Sequence, residues 1–185
     1  NVLGAVAAAR LLEIPGDAIA HGVRELRGVP GRFEALDEGQ PFAVLVDYAH
    51  TPDSLENVLR TARDLAQNRV ICVFGCGGDR DRGKRPLMGR IATDLADLAI
   101  VTSDNPRSEE PETIIAEILE GAGEAEVEPD RREAIARAVA AAGEGDVVVI
   151  AGKGHEQGQQ FADHTIPFDD REVARDALRR LGAPA

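Results

Sequence analysis

Four consecutive residues, Asp104-Asn105-Pro106-Arg107, bring together a carboxylate, an amide, a rigid kink and a guanidinium. Asp and Asn offer acceptors and donors for an ammonium or an amide. The planar guanidinium can hold a carboxylate through two parallel hydrogen bonds. One short loop therefore carries complementary groups for a zwitterion. Asp-Asn and Asn-Pro are also common turn formers, so position matters. The tetrad follows the apolar run Leu98–Thr102 and precedes a helix start at Pro111. That puts it at the carboxyl end of a buried strand, where open α/β sheets bind ligands.

The elements that would position such a loop are legible along the chain. Apolar runs rich in β-branched residues recur at Ala43–Val46, Val70–Phe74, Leu98–Thr102 and Val147–Ala151, with a weaker one near Ala125–Glu128. Runs of this kind suit strands buried on both faces of a parallel sheet. Between them, Leu55, Val58, Leu59, Ala62 and Leu65 fall at helical spacing, as do Leu87, Ile91 and Leu95, then Ile114, Ile115, Ile118 and Leu119. Asp130 with Glu133, and Asp169 with Glu172, read as N-cap and N3 pairs. Pro86 and Pro111 suit first helical turns, and Gly182 reads as the stop of the last helix. Two further helix-like stretches, about 1–13 and 16–27, come first, and Gly28–Gly31 marks a domain boundary after them. The alternation predicts a Rossmann-like α/β fold, a mostly parallel sheet with helices on both faces.

Each strong strand ends in polar or glycine-rich residues. Asp47-Tyr48-Ala49-His50-Thr51-Pro52 follows the first, Gly75–Pro86 the second, the tetrad the third, and Gly152-Lys153-Gly154-His155-Glu156 the last. Two familiar patterns nearly match. Gly78 and Gly83-Lys84 imitate a P-loop, but Arg85 stands where a Ser or Thr would ligate magnesium. Gly75 and Gly77 open like a dinucleotide fingerprint, but Arg80 stands where the third glycine is needed. Arg80, Arg82, Lys84 and Arg85 read instead as a local basic cluster for an anion. His50 could cap the helix that follows it, and His155 could brace its loop. No nucleophile–base pair or metal-ligand spacing stands out, so the chemistry expected here is positioning and electrostatics.

The 185 residues are 43% apolar and 29% charged, with a formal net charge of −12. An acidic surface argues against general nucleic-acid or anionic-membrane binding. No run reaches the ~18 apolar residues that a membrane span needs, and no export leader opens the chain. The only two cysteines, Cys72 and Cys76, are too few for a disulfide framework or a zinc site, so a cytoplasmic setting with free thiols is expected. Asn1 is not an initiator Met, and the sequence reads as a piece of a longer chain.

Six motifs occur in order: Gly31-Arg32-Phe33-Glu34, Asp47–Pro52, Phe74–Asp81, Gly83–Pro86, Asp104–Arg107 and Ala151–Glu156. Together they resemble the carboxyl-terminal domain of the ATP-dependent Mur ligases, and among these the members that add diaminopimelate in bacterial peptidoglycan synthesis. The resemblance covers nearly the whole chain. It implies that residues 1–28 are the last helices of an ATP-binding central domain, and that residues 29–185 are the amino-acid-binding domain. It further implies an amino-terminal domain for the UDP-MurNAc-L-Ala-D-Glu substrate, and a central domain that supplies the P-loop and holds most of the Mg2+. ATP would phosphorylate the D-glutamyl carboxylate, and the amine of meso-diaminopimelate would attack the acyl phosphate. By the same resemblance Asn1 lies near the adenine and Arg32 contacts the ATP phosphates, with Asp47, Tyr48 and His50 on the nucleotide side. Arg80, Asp104, Asn105, Arg107, Gly152 and Glu156 would hold diaminopimelate.

Lysine ends in an ammonium, which Arg107 would repel, whereas diaminopimelate ends in a carboxylate beside an ammonium. Two other readings stay open on sequence. One is another Mur-like amide ligase, of the D-alanyl-D-alanine-adding, folylpolyglutamate or cyanophycin synthetase type. The other is a non-catalytic binding module that keeps the ligand edge. Upstream sequence discriminates, since a P-loop there supports a ligase.

Overall fold

The computed structural model describes residues 2–26 and 28–182. Asn1, placed by resemblance near the adenine, lies outside them. After two helices, α1 (Val2–Leu11) and α2 (Gly16–Glu25), the chain forms a six-stranded sheet. In chain order its strands are β1 (Glu34–Leu36), β2 (Ala43–Asp47), β3 (Val70–Phe74), β4 (Leu98–Val101), β5 (Glu126–Val127) and β6 (Val147–Ala151). In space the order is β1-β2-β6-β3-β4-β5. All neighbours are parallel except β1, which runs antiparallel along the edge of β2.

Every residue of β3 and β6 is buried, so both faces need covering. Alternate side chains divide the core accordingly. Leu45, Cys72, Phe74, Val101 and Val149 pack with α3 (Pro52–Leu65), α4 (Lys84–Leu95) and α5 (Pro111–Leu119). Val44, Val46, Ile71, Val73, Val148 and Ile150 face α6 (Arg131–Ala141) and α7 (Asp170–Gly182). The apolar runs and helical spacings of the sequence thus correspond to the observed sheet and its two helical layers.

The caps follow the sequence with one correction. Asp130 accepts from the backbone N–H groups of Arg132 and Glu133, and Asp169 accepts from Arg171 N at 2.9 Å. His50, a candidate cap for α3, does not cap it. Thr51 does, in a reciprocal box with Ser54, and the His50 ring bonds the Tyr48 carbonyl at 2.8 Å. Gly182 is the last residue of α7. The edge strand β1 and the hairpin of β7 (Gly158–Gln160) and β8 (Thr165–Pro167) were not expected.

Both cysteines are buried and free. Burial in the core pushes each thiol up to about 12, and Cys76 Sγ sits 3.6 Å from Met88 Sδ. Thiolate is the reactive form, so native protein should resist maleimide at about pH 8, with both sites labelling only after denaturation. Rapid labelling of folded protein would show that the layer between β3 and α4 opens.

Candidate functional site

The loops leaving β2 and β3 lead to α3 and α4 on one face, whereas the chain leaving β6 leads to the hairpin and to α7 on the other. Since β6 lies between β2 and β3, the chain directions part there. Such a switch point leaves a crevice beyond the strand ends. A cleft of about 450 Å³ occupies it, lined by residues from all four loops. Its walls touch at backbone level. A Cβ on Gly78 would lie 1.9 Å from the Pro106 carbonyl oxygen. Gly152, at φ +121°, would carry a Cβ 2.6 Å from Asp104 Oδ2. Glycine is required at both places, because no side chain fits between these loops.

On one side of the cleft lies the tetrad. Asp104 and Asn105 are buried, at 9% and 6% exposure. Asn105 Nδ2 donates to Glu156 Oε2 at 2.8 Å, and Asn105 Oδ1 accepts from Lys153 Nζ at 2.7 Å and from Gln160 N at 2.9 Å. Arg107 is held left-handed at φ +52°, a conformation unusual for a side-chain-bearing residue. Its backbone N–H donates to the Gln160 carbonyl at 3.0 Å. Its Nη1 donates to the Gly78 carbonyl at 2.7 Å and its Nε to Gln160 Oε1 at 3.2 Å. The guanidinium is thereby aimed, and Nη2 has no partner among the described residues. Arg80 is exposed, and among the described residues it is anchored only to the Asp79 carbonyl at 3.0 Å. Six residues assigned to the amino acid from sequence (Arg80, Asp104, Asn105, Arg107, Gly152 and Glu156) line this one cleft.

At the opposite lip, the Arg32 guanidinium lies over the Tyr48 ring, 4.3 Å from its centroid. His50 meets the same ring edge-on at 4.6 Å. Tyr48 and His50 line the cleft, whereas Arg32 and Asp47 do not. Both Asp47 oxygens are occupied by backbone amides, Phe33 N at 2.7 Å and Ala49 N at 2.8 Å. Asp47 therefore ties the Arg32 segment to the end of β2.

The basic cluster read from Arg80, Arg82, Lys84 and Arg85 does not face an anion as a unit. Arg85 is fully buried. It holds Glu109 through two 2.8 Å bonds and Glu117 through one of 2.6 Å. Arg82 also pairs with Glu117. Arg80 and Lys84 alone of the four line the cleft, and Lys84 Nζ donates to the His50 carbonyl at 2.7 Å. The carboxylates that neutralise the other two lie in α5 and the loop before it, too distant in sequence to be paired by eye.

Behind the cleft stand residues that the motifs did not reveal. Arg131 and Asp170, both fully buried, form a two-bond pair at 2.8 Å. The same guanidinium donates to the Ala151 carbonyl at 2.9 Å and reaches that of Ser103 at 3.5 Å. It thus braces the ends of β6 and β4 together. Lys153, which the Ala151–Glu156 motif contains but does not mark as buried, is also fully buried. Among the described residues no group of three or more His, Cys, Asp or Glu side chains could hold a metal ion. The arrangement can bind and orient a ligand bearing both charges.

Glu109 also accepts from Asp79 N at 2.7 Å, and Asp79 in turn accepts from the Ser108 hydroxyl at 2.5 Å. The Arg85 hydrogen bond, then that from Asp79 N, lower the Glu109 carboxyl from 4.5 to about 2. The folded state thus favours the ionised form, so this stabilisation is complete above about pH 4.5 and fades as pH falls toward about 2. Glu109→Gln should melt lower than the parent at neutral pH, with the gap closing through that acid window. Parallel melting profiles down to the acid end would count against the assignment.

Three comparisons bear on identity. The family model described as Mur ligase, glutamate ligase domain, matches residues 31–154. The UDP-N-acetylmuramoyl-L-alanyl-D-glutamate–2,6-diaminopimelate ligase of Solibacter usitatus (strain Ellin6076) is 53% identical over 98% of this chain. The protein of the same name from Syntrophomonas wolfei subsp. wolfei is 55% identical over 97%. The chain spans 38% of the length of both relatives. A solved structure with that title is 42% identical and superposes with a TM-score of 0.79, covering 98% of this chain and 38% of its own.

Proposed function

The chain belongs to the Mur ligase family, and on that premise we propose that it is the amino-acid-binding part of an ATP-dependent ligase. That ligase adds meso-diaminopimelate to UDP-MurNAc-L-Ala-D-Glu in peptidoglycan synthesis. Residues 29–185 are the carboxyl-terminal domain, and residues 1–28 are the end of the ATP-binding central domain. The observation that carries the reading is the tetrad at the cleft. Arg107 is fixed by Gly78 and Gln160 with one guanidinium nitrogen unpaired among the described residues, and the Asp104 and Glu156 carboxylates line the same cleft. A carboxylate beside an ammonium satisfies both sets, whereas the single ammonium of a lysine side chain would leave Arg107 unpaired.

The family uses ATP and Mg2+, and the described residues offer no metal cluster. On this reading the P-loop and most of the Mg2+ ligands are supplied by the rest of the longer chain. This domain's share is to bind the incoming amino acid, hold its distal end, and aim its proximal amine. Arg32 and Lys84 supply positive charge toward the phosphate side, with Tyr48 and His50 beside them. Arrangement of this sort acts through orientation and electrostatics rather than through a nucleophile of its own.

The test is an amide-forming assay of the full-length enzyme with diaminopimelate and with lysine. A charge-assisted two-bond contact predicts preference for diaminopimelate of about a hundredfold in kcat/KM. Equal use of lysine, or no use of diaminopimelate, would sink the reading. Residues 1–185 alone should form no amide from the same mixture, and product from this piece would overturn the division of labour between domains.

A further inference from the structure

Lys153 lies in a loop yet is fully buried, and no role described above uses it. A buried ammonium is unfavourable unless it is paired. Burial lowers its pKa, the Asp104 charge works against that shift, Arg131 adds to it, and Glu156 and Asp170 oppose it. Its Nζ has two partners, Asn105 Oδ1 at 2.7 Å and Glu156 Oε2 at 3.4 Å. Both partners line the cleft, and the Asn105 amide is itself taken up by Lys153, Gln160 and Glu156, so the route from Lys153 to the ligand runs through Glu156.

An asparagine amide can face either way. Here Lys153 Nζ and Gln160 N both donate to one of its atoms, which must therefore be the oxygen. The amide nitrogen is then aimed at Glu156 Oε2, 2.8 Å away. Glu156 Oε2 is thus engaged from two directions. Glu156 Oε1 has no hydrogen-bond partner among the described residues and remains an acceptor at the cleft.

Resting on the function proposed above, we propose that Lys153 is a positioning residue of the amino-acid subsite. It fixes the Asn105 amide and the Glu156 carboxylate so that one Glu156 oxygen is presented to an ammonium of the incoming diamino acid. Lys153 itself makes no contact with the ligand. Its removal should weaken capture of the amino acid and leave the nucleotide side untouched.

The experiment uses the full-length enzyme as wild type, Lys153→Met, Glu156→Gln and the double variant. Wild type is assayed first, and failure to use diaminopimelate refutes the proposed function itself. Given a wild type that uses it, Lys153→Met should raise KM for diaminopimelate about tenfold or more, with KM for ATP held within about twofold. In the Glu156→Gln background the same substitution should add less than about twofold, because its route to the ligand is already cut. A lysine serving only the fold would lower the melting temperature and kcat, leave the KM split absent, and act in full in both backgrounds. If Lys153→Met alone does not fold, the double variant, which loses both charges, is compared with Glu156→Gln. Equal KM values support the proposal, and a further rise of about tenfold overturns it.

Discussion

Asp170→Ala is expected to destabilise the domain by about 3–5 kcal/mol, because it leaves the Arg131 charge buried without its partner. Neither side chain is exposed, so solvent cannot replace the lost carboxylate. The same guanidinium holds the Ala151 carbonyl, and its displacement would loosen the end of β6. The pair need not itself be stabilising, since buried ion pairs are often no better than apolar residues of matching volume. Arg131→Met combined with Asp170→Leu should therefore recover part of the loss, short of the parent because the Ala151 carbonyl still lacks the bond that Arg131 gave it. Urea denaturation of the two variants and the parent gives the comparison. A single variant within about 1 kcal/mol of the parent would mean that the site admits water or relaxes, contrary to the burial described.

The second large effect concerns the two arginines at opposite lips. In the full-length enzyme Arg107→Ala should lose about 2–4 kcal/mol in kcat/KM for diaminopimelate and little in the ATP term. Arg32→Ala should do the reverse, since its guanidinium sits against Tyr48, across the cleft from the tetrad. Arg107→Lys is a useful companion, because an ammonium keeps the charge but not the planar fork. It should recover only part of the lost efficiency. Michaelis constants for both ligands in all three variants decide the matter. If Arg107→Ala altered only the ATP constant, the specificity assignment would have to be abandoned.

The main strands were legible because Val70–Phe74 and Val147–Ala151 are unbroken apolar runs, and such runs have few alternatives to a doubly covered strand. The loops at their ends were legible because glycine and charge punctuate the chain just where the apolar runs stop. Strands of three residues, such as Glu34–Leu36 and Gly158–Gln160, are too short to show a period. The tetrad was recognised, but its fixing by Gln160 was not, since nothing local in Gly158–Phe161 announces a partner in the β4 loop. Arg85 was misread for a similar reason. Among neighbouring charges it looks like surface, and only the fold brings Glu109 and Glu117 to it. Lys153, flanked by two glycines, was read only as part of a glycine-rich strand end, although its side chain is as buried as any in the core.

The insertion of β6 between β2 and β3 has a consequence for how the chain assembles. β2 and β3 are not neighbours in the sheet, and β6 pairs in parallel with both. During synthesis both strands, and the helices that follow them, leave the ribosome long before Val147 does. The centre of the sheet must wait for the last strand to arrive, with two apolar edges open in the meantime. Non-local pairing of this kind slows folding and leaves intermediates prone to association. A nascent chain stalled just before Val147 should therefore be protease-sensitive and bound by chaperones, and one stalled after α7 should be compact.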